Sequence, residues 1–181
     1  MPTFVPLLLM LWSLSLPALA QTHEPEAAAH IDVQRYMGEW YEIARLPNRL
    51  ERSCASDVTA TYERRSEEAI RVTYLCRDAD GEAVRIRGVA RVRDIATDAK
   101  LEMRFAPLAL AWWPFVWDDW WILEVDDGYT QMMVGDPSHD TLWIFARTRD
   151  IDAAAYQTLV AHAAAQGYDT SKLVRTHQSA H

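Results

Sequence analysis

Two cysteines, Cys54 and Cys76, carry the most reactive side chains of this sequence. A cysteine can act as a nucleophile or bind a metal ion, and two cysteines can instead form a disulfide. Residues 55–64 and 69–77 read as two strands joined by a polar turn at 65–68. An antiparallel hairpin would place the two cysteines nearly opposite each other, with Cβ atoms ~4.5–5.5 Å apart. The spacing therefore favours a disulfide, with two free buried thiols as the alternative.

The other residue types that serve in catalysis form no pattern typical of an enzyme. The six histidines of the chain are His23, His30, His139, His162, His177 and His181. They show no metal-ligand spacing, and none falls at an inward strand position where a haem carrier would need one. The sequence also lacks the G-x-S-x-G pattern of serine hydrolases. We therefore expect a protein without cofactor or metal that is not an enzyme.

The charge of the chain excludes one class of partner. There are 26 acidic and 18 basic residues, which gives a net charge of −8. An acidic domain repels phosphate backbones, and the basic residues form no stripe that would attract them. A nucleic-acid partner is therefore excluded. The length beyond the N-terminal segment suits one domain with one sizeable core, which we assign to residues 31–176.

The first twenty residues carry no charge and are apolar from 4 to 16. This run is shorter than the ~20 residues that a helix needs to span a bilayer. It ends in the sequence ALA at 18–20, which is typical of a signal-peptide cleavage site. We predict a secretory signal at 1–20 and a flexible lead-in at 21–30. Export supports the disulfide, while the lack of a Lys or Arg before the apolar run leaves an uncleaved anchor as the alternative.

Short segments that alternate between apolar and charged residues recur along the chain. Alternation with a period of two places one face of a strand in a core and the other in solvent. The predicted strands are the stretch that opens at Gly38, 55–64, 69–77, 84–92, 101–105, 120–125, 130–134 and 142–147. Short turns join them, so a parallel β-α-β arrangement is disfavoured. Eight sequential antiparallel strands fit an all-β fold, a closed up-and-down barrel.

The sequence near the C-terminus predicts a helix at 152–166. Asp152 can cap the first turn of this helix, and Gly167 suits the left-handed position after its last turn. One stripe of this helix is apolar and comprises Tyr156, Leu159, Val160 and Ala163. We therefore expect the helix to pack on the outside of the barrel. Residues 172–176 can pair back as an extra strand, and residues 177–181 are predicted to form a disordered tail.

An eight-stranded barrel has room inside for side chains or for one small ligand. The alternation of each strand indicates which apolar side chains face inward. The predicted inward set, and hence the candidate ligand-binding set, is Val84, Ile86, Met103, Phe105, Trp121, Leu123, Trp143 and Phe145. Core and pocket residues look alike in a sequence, so a filled interior without a cavity is the alternative.

The segment 107–117, PLALAWWPFVW, contains no charge and falls between the fifth and sixth strands, at the open end of such a barrel. It contains three tryptophans, Trp112, Trp113 and Trp117. One interpretation is a lid that folds over the barrel. The other is a loop that contacts a membrane surface, because tryptophan prefers the headgroup region of a bilayer.

Two parts of the sequence together resemble the lipocalin family. Gly38-x-Trp40-Tyr41 opens the first strand, and Arg147 ends the last barrel strand within the run WIFART. The greater likeness is to bacterial lipocalins and apolipoprotein D-like members, and it extends over residues 36–174. The family's middle motif is Thr-Asp-Tyr after the sixth strand. This sequence has Val125-Asp126-Asp127 there, so only the central residue, Asp126, matches.

The resemblance implies structural roles for these residues. Trp40 would close the bottom of the barrel, and Arg147 would lie over its ring in a cation–π contact of ~0.5–2 kcal/mol. Gly38 would let the chain turn tightly into the barrel. Trp143 corresponds to a tryptophan that lines the cavity in apolipoprotein D-like proteins. The cysteines match a bacterial variant of the family in which the bridge stiffens the open rim.

The resemblance also implies a function, the carriage of a fatty acid or lysophospholipid in the barrel. The expected location is the periplasm, in soluble form, because Gln21 stands where many bacterial relatives carry a lipid-anchored cysteine. Some relatives form dimers, so a homodimer is one of the two expected oligomeric states, beside a monomer. The alternatives are a structural envelope protein with a filled barrel and, third, an enzyme built on the lipocalin fold.

Overall fold

The structure, a computed structural model, describes residues 23–66 and 69–179. The predicted signal at 1–20 lies outside the described residues. Within the described part of the chain, no helix is both long enough and apolar enough to cross a membrane.

Nine strands form one antiparallel sheet that closes on itself. They are β1 (Gly38–Arg45), β2 (Ser56–Arg64), β3 (Ile70–Arg77), β4 (Ala83–Val92), β5 (Lys100–Arg104), β6 (Asp118–Val125), β7 (Gln131–Gly135), β8 (Leu142–Ala146) and β9 (Val174–Arg175). From β2 to β8 each strand pairs with the next, and β1 pairs with both β8 and β2. The predicted eight-stranded up-and-down barrel is therefore confirmed. The short β9 adds to the second half of β1.

The antiparallel order gives the barrel two different ends. The connections at one end, which we call the mouth, are residues 46–55, 78–82, 105–117 and 136–141. The segment 46–55, here called the mouth loop, joins β1 to β2. A short helix, α1 (Val33–Tyr36), precedes β1 at the opposite, closed end. Asp32 caps α1, since its Oδ1 accepts a hydrogen bond from Gln34 N at 2.9 Å.

Buried apolar side chains form two clusters, one on each side of the barrel wall. The inner cluster fills the barrel and includes Trp40, Tyr74, Met103, Trp120, Trp143 and Phe145. The outer cluster lies between the wall and a C-terminal helix and includes Ile43, Trp121, Leu123, Ile144, Leu159 and Ala163. Part of the wall is therefore buried on both faces.

The prediction that Trp121 and Leu123 face inward is wrong. Both pack in the outer cluster, and Lys100 Nζ lies 3.6 Å from the centre of the Trp121 ring. The inward residues of β6 are Trp120 and Ile122. A strand covered on both faces reads as a continuous apolar run rather than an alternating one, so the sequence WWIL did not distinguish its two faces.

The C-terminal helix, α2 (Ala153–Ala165), confirms the predicted outer helix. Asp152 Oδ1 accepts a hydrogen bond from Ala155 N at 2.8 Å, which caps the first turn. Gly167 follows the helix with a φ of +96°, a left-handed conformation that favours glycine. Leu159 and Ala163 are buried against the wall.

The prediction of a flexible lead-in at 21–30 is wrong for its described part, residues 23–30. Pro25 is buried, and Ala28 N donates a hydrogen bond to Ile122 O at 2.8 Å. The lead-in therefore lies along β6 and continues to Ile31, which is buried in the inner cluster. Alanine and proline gave no periodic pattern from which this packing could be predicted.

The prediction of a disordered tail at 177–181 is wrong for its described part, residues 177–179. Asp57 N donates a hydrogen bond to His177 O at 2.8 Å, and Ser179 N donates to Asp57 Oδ1 at 2.7 Å. Gln178 Nε2 donates to one carbonyl oxygen of β1 and one of β2, each at 2.9 Å. The segment thus lies between β1 and β2 beyond the point where those strands pair, and it supplies hydrogen bonds to backbone that would otherwise be unpaired.

The predicted disulfide is confirmed. Cys54 and Cys76 are bonded, with their Cα atoms 5.5 Å apart and a sequence separation of 22. Cys54 is in the mouth loop, and Cys76 pairs with Val84 of β4. The bond therefore ties the mouth loop to the end of the β2–β3 hairpin.

Reduction of this disulfide is expected to lower the free energy of unfolding by about 3 kcal/mol, because a bond that closes a loop of this length restricts the unfolded chain. Urea denaturation with and without reductant measures the difference. The Cys54→Ala/Cys76→Ala variant is the control for direct effects of the reductant, since its stability should not change when reductant is added. An unaltered denaturation midpoint in the reduced wild type would contradict the prediction.

Candidate ligand-binding site

The closed end of the barrel is sealed by Trp40 and Arg147. The Arg147 guanidinium carbon lies 3.7 Å from the centre of the Trp40 ring, and Trp40 is fully buried. Arg147 Nη1 donates to Glu39 O at 2.7 Å, and Nη2 donates to Arg35 O at 2.7 Å and Met37 O at 2.8 Å. The guanidinium thus joins α1 to β1 across the ring. The arrangement of Trp40 and Arg147 is therefore structural.

Gly38 begins β1 with a φ of +98°, and a Cβ atom at this position would lie 3.2 Å from Arg147 Nη1. Glycine is therefore required both by the backbone conformation and by the close approach of the arginine. Asp126 holds the turn between β6 and β7, since its Oδ1 accepts hydrogen bonds from Thr130 N and Gln131 N, each at 2.6 Å. Tyr41 lies outside the barrel, where Arg149 is 4.9 Å from its ring centre.

Aromatic side chains fill the barrel above this seal. The ring centres of Tyr36 and Tyr62 are 4.7 Å apart. The Tyr74 ring centre is 6.5 Å from those of Trp120 and Phe145. Trp120 Nε1 donates to Tyr36 Oη at 3.3 Å. Burial raises the pKa of Tyr36 to about 12, so this phenol is neutral at physiological pH. The lower half of the barrel is therefore a packed core.

A cavity of about 720 Å³ occupies the mouth half of the barrel. Met103, Trp120 and Trp143, all buried in the inner cluster, form its apolar floor together with Phe105. Residues 47–50 of the mouth loop cover one side. The size lies within the range of ~300–1,000 Å³ of sites for small molecules, and an apolar floor with a polar rim is typical of them.

The cavity contains three of the eight predicted ligand-binding residues. Those three are Met103, Phe105 and Trp143. Phe145 is fully buried in the core below the cavity. Val84 and Ile86 face inward and pack against the inner cluster, but they do not line the cavity. The orientation predicted for these six residues is thus as observed, and their contact with a ligand stays a prediction.

The sequence did not identify Trp120 as a cavity residue. Its ring centre is 4.4 Å from that of Trp143, so the two indoles form one surface. The pairing of Leu101 with Trp120 sets the inward face of β6, and this register is a long-range property. The mouth-loop residues 47–50 were also missed, because nothing in a loop sequence indicates that the loop folds inward.

A buried carboxyl pair fixes the mouth loop. Glu51, in the loop, and Glu42, on β1, are both fully buried side chains. Glu51 Oε2 accepts hydrogen bonds from Trp143 Nε1 at 3.0 Å and from Asn48 Nδ2 at 2.8 Å. Arg45 Nη1 donates to Glu42 Oε1 at 2.5 Å, and Arg45 Nε lies 3.4 Å from Glu51 Oε2. One guanidinium therefore faces two carboxyl groups.

The surroundings of Glu42 favour its protonated form. The remaining oxygens, Glu42 Oε2 and Glu51 Oε1, are buried and accept no hydrogen bond from the described residues. Burial, then the charge of Glu51 and a hydrogen bond to it, raise the pKa of Glu42 well above its usual value, although Arg45 and Thr176 act in the opposite direction. Protonation of Glu42 reduces the negative charge that the buried pair places next to Arg45.

The raised pKa of Glu42 makes the stability of the protein depend on pH. Because the pKa of Glu42 is raised by folding, its contribution is complete below about pH 4.5, the unfolded value, and is lost as pH rises toward the folded pKa. Glu42→Gln, which stays neutral, is expected to gain stability relative to wild type above that pH, by about 1.4 kcal/mol per pH unit at most. Chemical denaturation from pH 4 to 8 measures this difference.

Glu63→Gln is the matched control, since Glu63 is exposed and pairs with Arg71 on the outer face. Its stability relative to wild type should change far less over the same pH range. Parallel curves for wild type and Glu42→Gln throughout would show that folding does not raise the pKa of Glu42, contrary to the prediction.

Charged side chains surround the cavity opening. They are Arg49, Asp118, Asp119, Asp136 and Asp140. Asp118 pairs with Met103 in the β5–β6 register, so its side chain lies on the inward face of the wall. Partial desolvation, then the charges of Asp119 and Asp136, raise the pKa of Asp118. The rim therefore carries four carboxylates against one guanidinium.

The segment 107–117, here called the Trp-rich loop, lies beside this opening. Trp112 is 78% exposed, Trp113 46% and Phe115 87%. The prediction that Trp117 is a membrane-contact residue does not agree with its position. Trp117 lines the cavity, its Nε1 donates to a backbone oxygen of the loop at 3.0 Å, and Arg91 lies 3.9 Å from its ring centre. The exposed aromatic residues of the loop are the other three.

Comparison with known proteins agrees with this geometry. The family model described as a lipocalin-like domain matches residues 31–178. Temperature-induced lipocalin-1 of Arabidopsis thaliana is 37% identical over 166 residues, which cover 89% of this chain and 87% of that protein. The outer membrane lipoprotein Blc of Escherichia coli K12 is 33% identical over 150 residues, with 82% of this chain and 80% of Blc covered.

Solved structures show the same fold. Insecticyanin from the tobacco hornworm Manduca sexta superposes with a TM-score of 0.65 at 17% identity, and the match covers 87% of this chain and 86% of that one. Lipocalins in general bind small hydrophobic ligands and are not enzymes. The family model spans the barrel from the residues before α1 to the segment after β9. The chain therefore belongs to the lipocalin family.

Proposed function

We propose that this protein binds one fatty acid or lysophospholipid in the mouth cavity and carries it within the cell envelope. The observation that carries the proposal is the cavity itself, about 720 Å³ with Met103, Trp120 and Trp143 on its floor. Burial of each CH₂ group against such a surface contributes ~0.8 kcal/mol, so the affinity for an acyl chain should increase with the number of its buried CH₂ groups. The packed core below the cavity limits how deeply the chain can enter.

We also propose that the protein is exported to the periplasm and acts there in soluble form. The uncharged apolar segment and the ALA sequence at 18–20 support a cleaved signal. The disulfide supports an oxidising compartment. Several bacterial relatives are named as outer membrane lipoproteins, which agrees with a role in the envelope. Mass measurement of the protein purified from the periplasmic fraction would show whether it begins at Gln21.

Titration with a neutral fluorescent probe, N-phenyl-1-naphthylamine, tests the carrier function. Delipidated protein is expected to bind the probe at one saturable site, and lysophosphatidylcholine or oleate is expected to displace it. Trp143→Asp, which places a charge on the cavity floor, should bind the probe at least tenfold more weakly. Asp152→Asn, which changes a residue far from the cavity, should bind like wild type. A protein that binds no probe and no lipid would favour the structural alternative, and hydrolysis of the lysolipid would favour an enzyme.

A second proposal concerns the exposed Trp-rich loop, which we infer to contact a membrane surface. Trp112 and Trp113 stack with ring centres 5.8 Å apart and stand in solvent with Phe115. Exposed aromatic residues of this kind are typical of proteins that bind at the bilayer interface. The loop adjoins the cavity opening, so contact would let a lipid pass between bilayer and barrel without crossing water.

Replacement of all three exposed residues (Trp112→Ser, Trp113→Ser, Phe115→Ser) is expected to abolish co-sedimentation with liposomes and to leave probe affinity unchanged. Ile95→Ser is the matched control, because Ile95 is 87% exposed but lies between β4 and β5 at the closed end. If the triple variant sediments as wild type does, the loop is not a membrane contact. If the variant instead loses probe affinity, the loop is a lid.

A further inference from the structure

The polar rim of the cavity carries an excess of negative charge on the side formed by β6 and the β7–β8 connection. Asp118 and Asp119 begin β6, while Asp136 and Asp140 lie in the 136–141 turn. Arg49 of the mouth loop is the one basic side chain that lines the cavity within the described part of the chain. A ligand whose polar end stays at this opening therefore meets four carboxylates and one guanidinium.

Two of these carboxylates are held in place by the turn. Asp136 Oδ1 accepts from Thr141 N at 2.9 Å and its Oδ2 accepts from Ser138 Oγ at 2.5 Å. Asp140 Oδ2 accepts from the same hydroxyl at 3.2 Å. These are neutral donors, so the negative charge of both side chains is left without a countercharge. The turn orders the carboxylates at the rim but does not neutralise them.

Asp118 has no partner at all among the described residues, since it forms no hydrogen bond and no ion pair with them. Its register partner Met103 lies on the cavity floor, so the Asp118 side chain is on the same face of the wall. Along β6 it lies two residues nearer the opening than Trp120. The raised pKa of Asp118 reflects desolvation and the nearby negative charges. A cation at this point would relieve that repulsion.

A metal ion does not account for the rim, because no three of the described His, Cys, Asp and Glu side chains are placed to hold one. The apolar floor fixes the orientation of an organic ligand, with its chain inward and its polar end among the carboxylates. We propose that the cavity selects single-chain amphiphiles whose polar end carries a positive charge over those whose polar end is an anion. This inference rests on the proposed carrier function and narrows its ligand class, because it favours a lysophospholipid with a cationic group in its polar end over a fatty acid.

Chain-matched ligands separate the charge of the polar end from the length of the chain. Tetradecyltrimethylammonium and tetradecanoate, both kept below their micelle concentrations at pH 7.5, compete with bound N-phenyl-1-naphthylamine. The cation is expected to displace the neutral probe at about tenfold lower concentration than the anion. The interaction energy of charges a few ångströms apart at a protein surface is large enough for a change of about tenfold in affinity. The ratio should fall as salt is added.

Asp118→Asn/Asp140→Asn is expected to reduce that ratio, measured within the variant itself, to about two or less. Asp80→Asn/Glu82→Gln is the matched control, because it removes the same charge from the β3–β4 turn at the mouth without altering a cavity residue. It should keep the ratio of wild type.

The outcomes distinguish this inference from the proposed function. A wild-type protein that does not bind the probe contradicts the carrier function itself. A protein that binds the probe but is equally displaced by both ions, or better by the anion, overturns the cation preference and leaves the carrier function standing. Equal ratios in the two double variants would overturn the assignment to the rim.

Discussion

Arg147→Ala is expected to lower the free energy of unfolding by about 4 kcal/mol. The substitution removes a guanidinium stacked on a buried indole, worth ~0.5–2 kcal/mol. It also removes hydrogen bonds to four backbone carbonyl oxygens between residues 35 and 39 and to one of the β6–β7 turn. Hydrogen bonds to charged groups contribute ~1.5–3 kcal/mol, of which water would restore part at this half-exposed site. Urea denaturation followed by circular dichroism measures the loss.

The geometry of the guanidinium, not its charge alone, is expected to matter. Arg147→Lys keeps the charge but cannot reach several carbonyl oxygens at once, so it should recover less than half of the loss. Arg149→Ala is the control, since Arg149 lies over the exposed face of Tyr41 and should cost less than about 1 kcal/mol. A lysine variant as stable as wild type would show that the hydrogen bonds to α1 and β1 contribute little.

Glu51→Ala is expected to cost about 3–5 kcal/mol and to loosen the mouth loop. The substitution leaves Trp143 Nε1 and Asn48 Nδ2 without their acceptor and removes one of two carboxyl groups that face Arg45. Breaking a buried ionic cluster by removal of one partner typically costs this much. Hydrogen exchange of residues 46–55 should accelerate, and the free energy of unfolding should fall.

Two variants separate the parts of this effect. Glu63→Ala removes an exposed carboxylate and should change stability by less than about 1 kcal/mol. Glu51→Gln keeps an acceptor for Trp143 and allows Glu42 to ionise next to Arg45, so it should be more stable than the alanine variant. Unchanged exchange in the mouth loop of Glu51→Ala would contradict the role of Glu51 as its anchor.

The parts of the fold that local sequence signals determine were predicted correctly. Asp152 and Gly167 bounded α2, and the spacing of the cysteines predicted the disulfide. Each of these rests on a backbone requirement or a contact within one hairpin or helix. The resemblance to lipocalins added the closed end, formed by Gly38, Trp40 and Arg147. The partners of Arg147 at this end lie more than a hundred residues away.

The parts that depend on long-range packing could not be predicted in the same way. The inward face of β6 was misassigned because α2 covers the outer face, so Trp120 and Trp121 are both buried. Glu51 gave no signal, since its contact with Trp143 spans 92 residues and an acidic residue in a loop usually lies in solvent. The place of residues 177–179 follows from a gap between β1 and β2 that only the folded barrel creates.

The most direct test of ligand binding between Trp120 and Trp143 is the tryptophan quenching caused by one bound ligand. A doxyl-labelled fatty acid or lysolipid quenches indoles at short range, and single Trp→Phe variants show which indoles respond. The loss of tryptophan emission on ligand binding should be clearly smaller in Trp120→Phe and Trp143→Phe than in wild type, because their indoles form the cavity floor. It should stay as in wild type in Trp121→Phe, whose indole lies in the outer cluster. If the quenching disappears in Trp121→Phe and is unchanged in the other two variants, the ligand lies outside the barrel, which would contradict the proposed site.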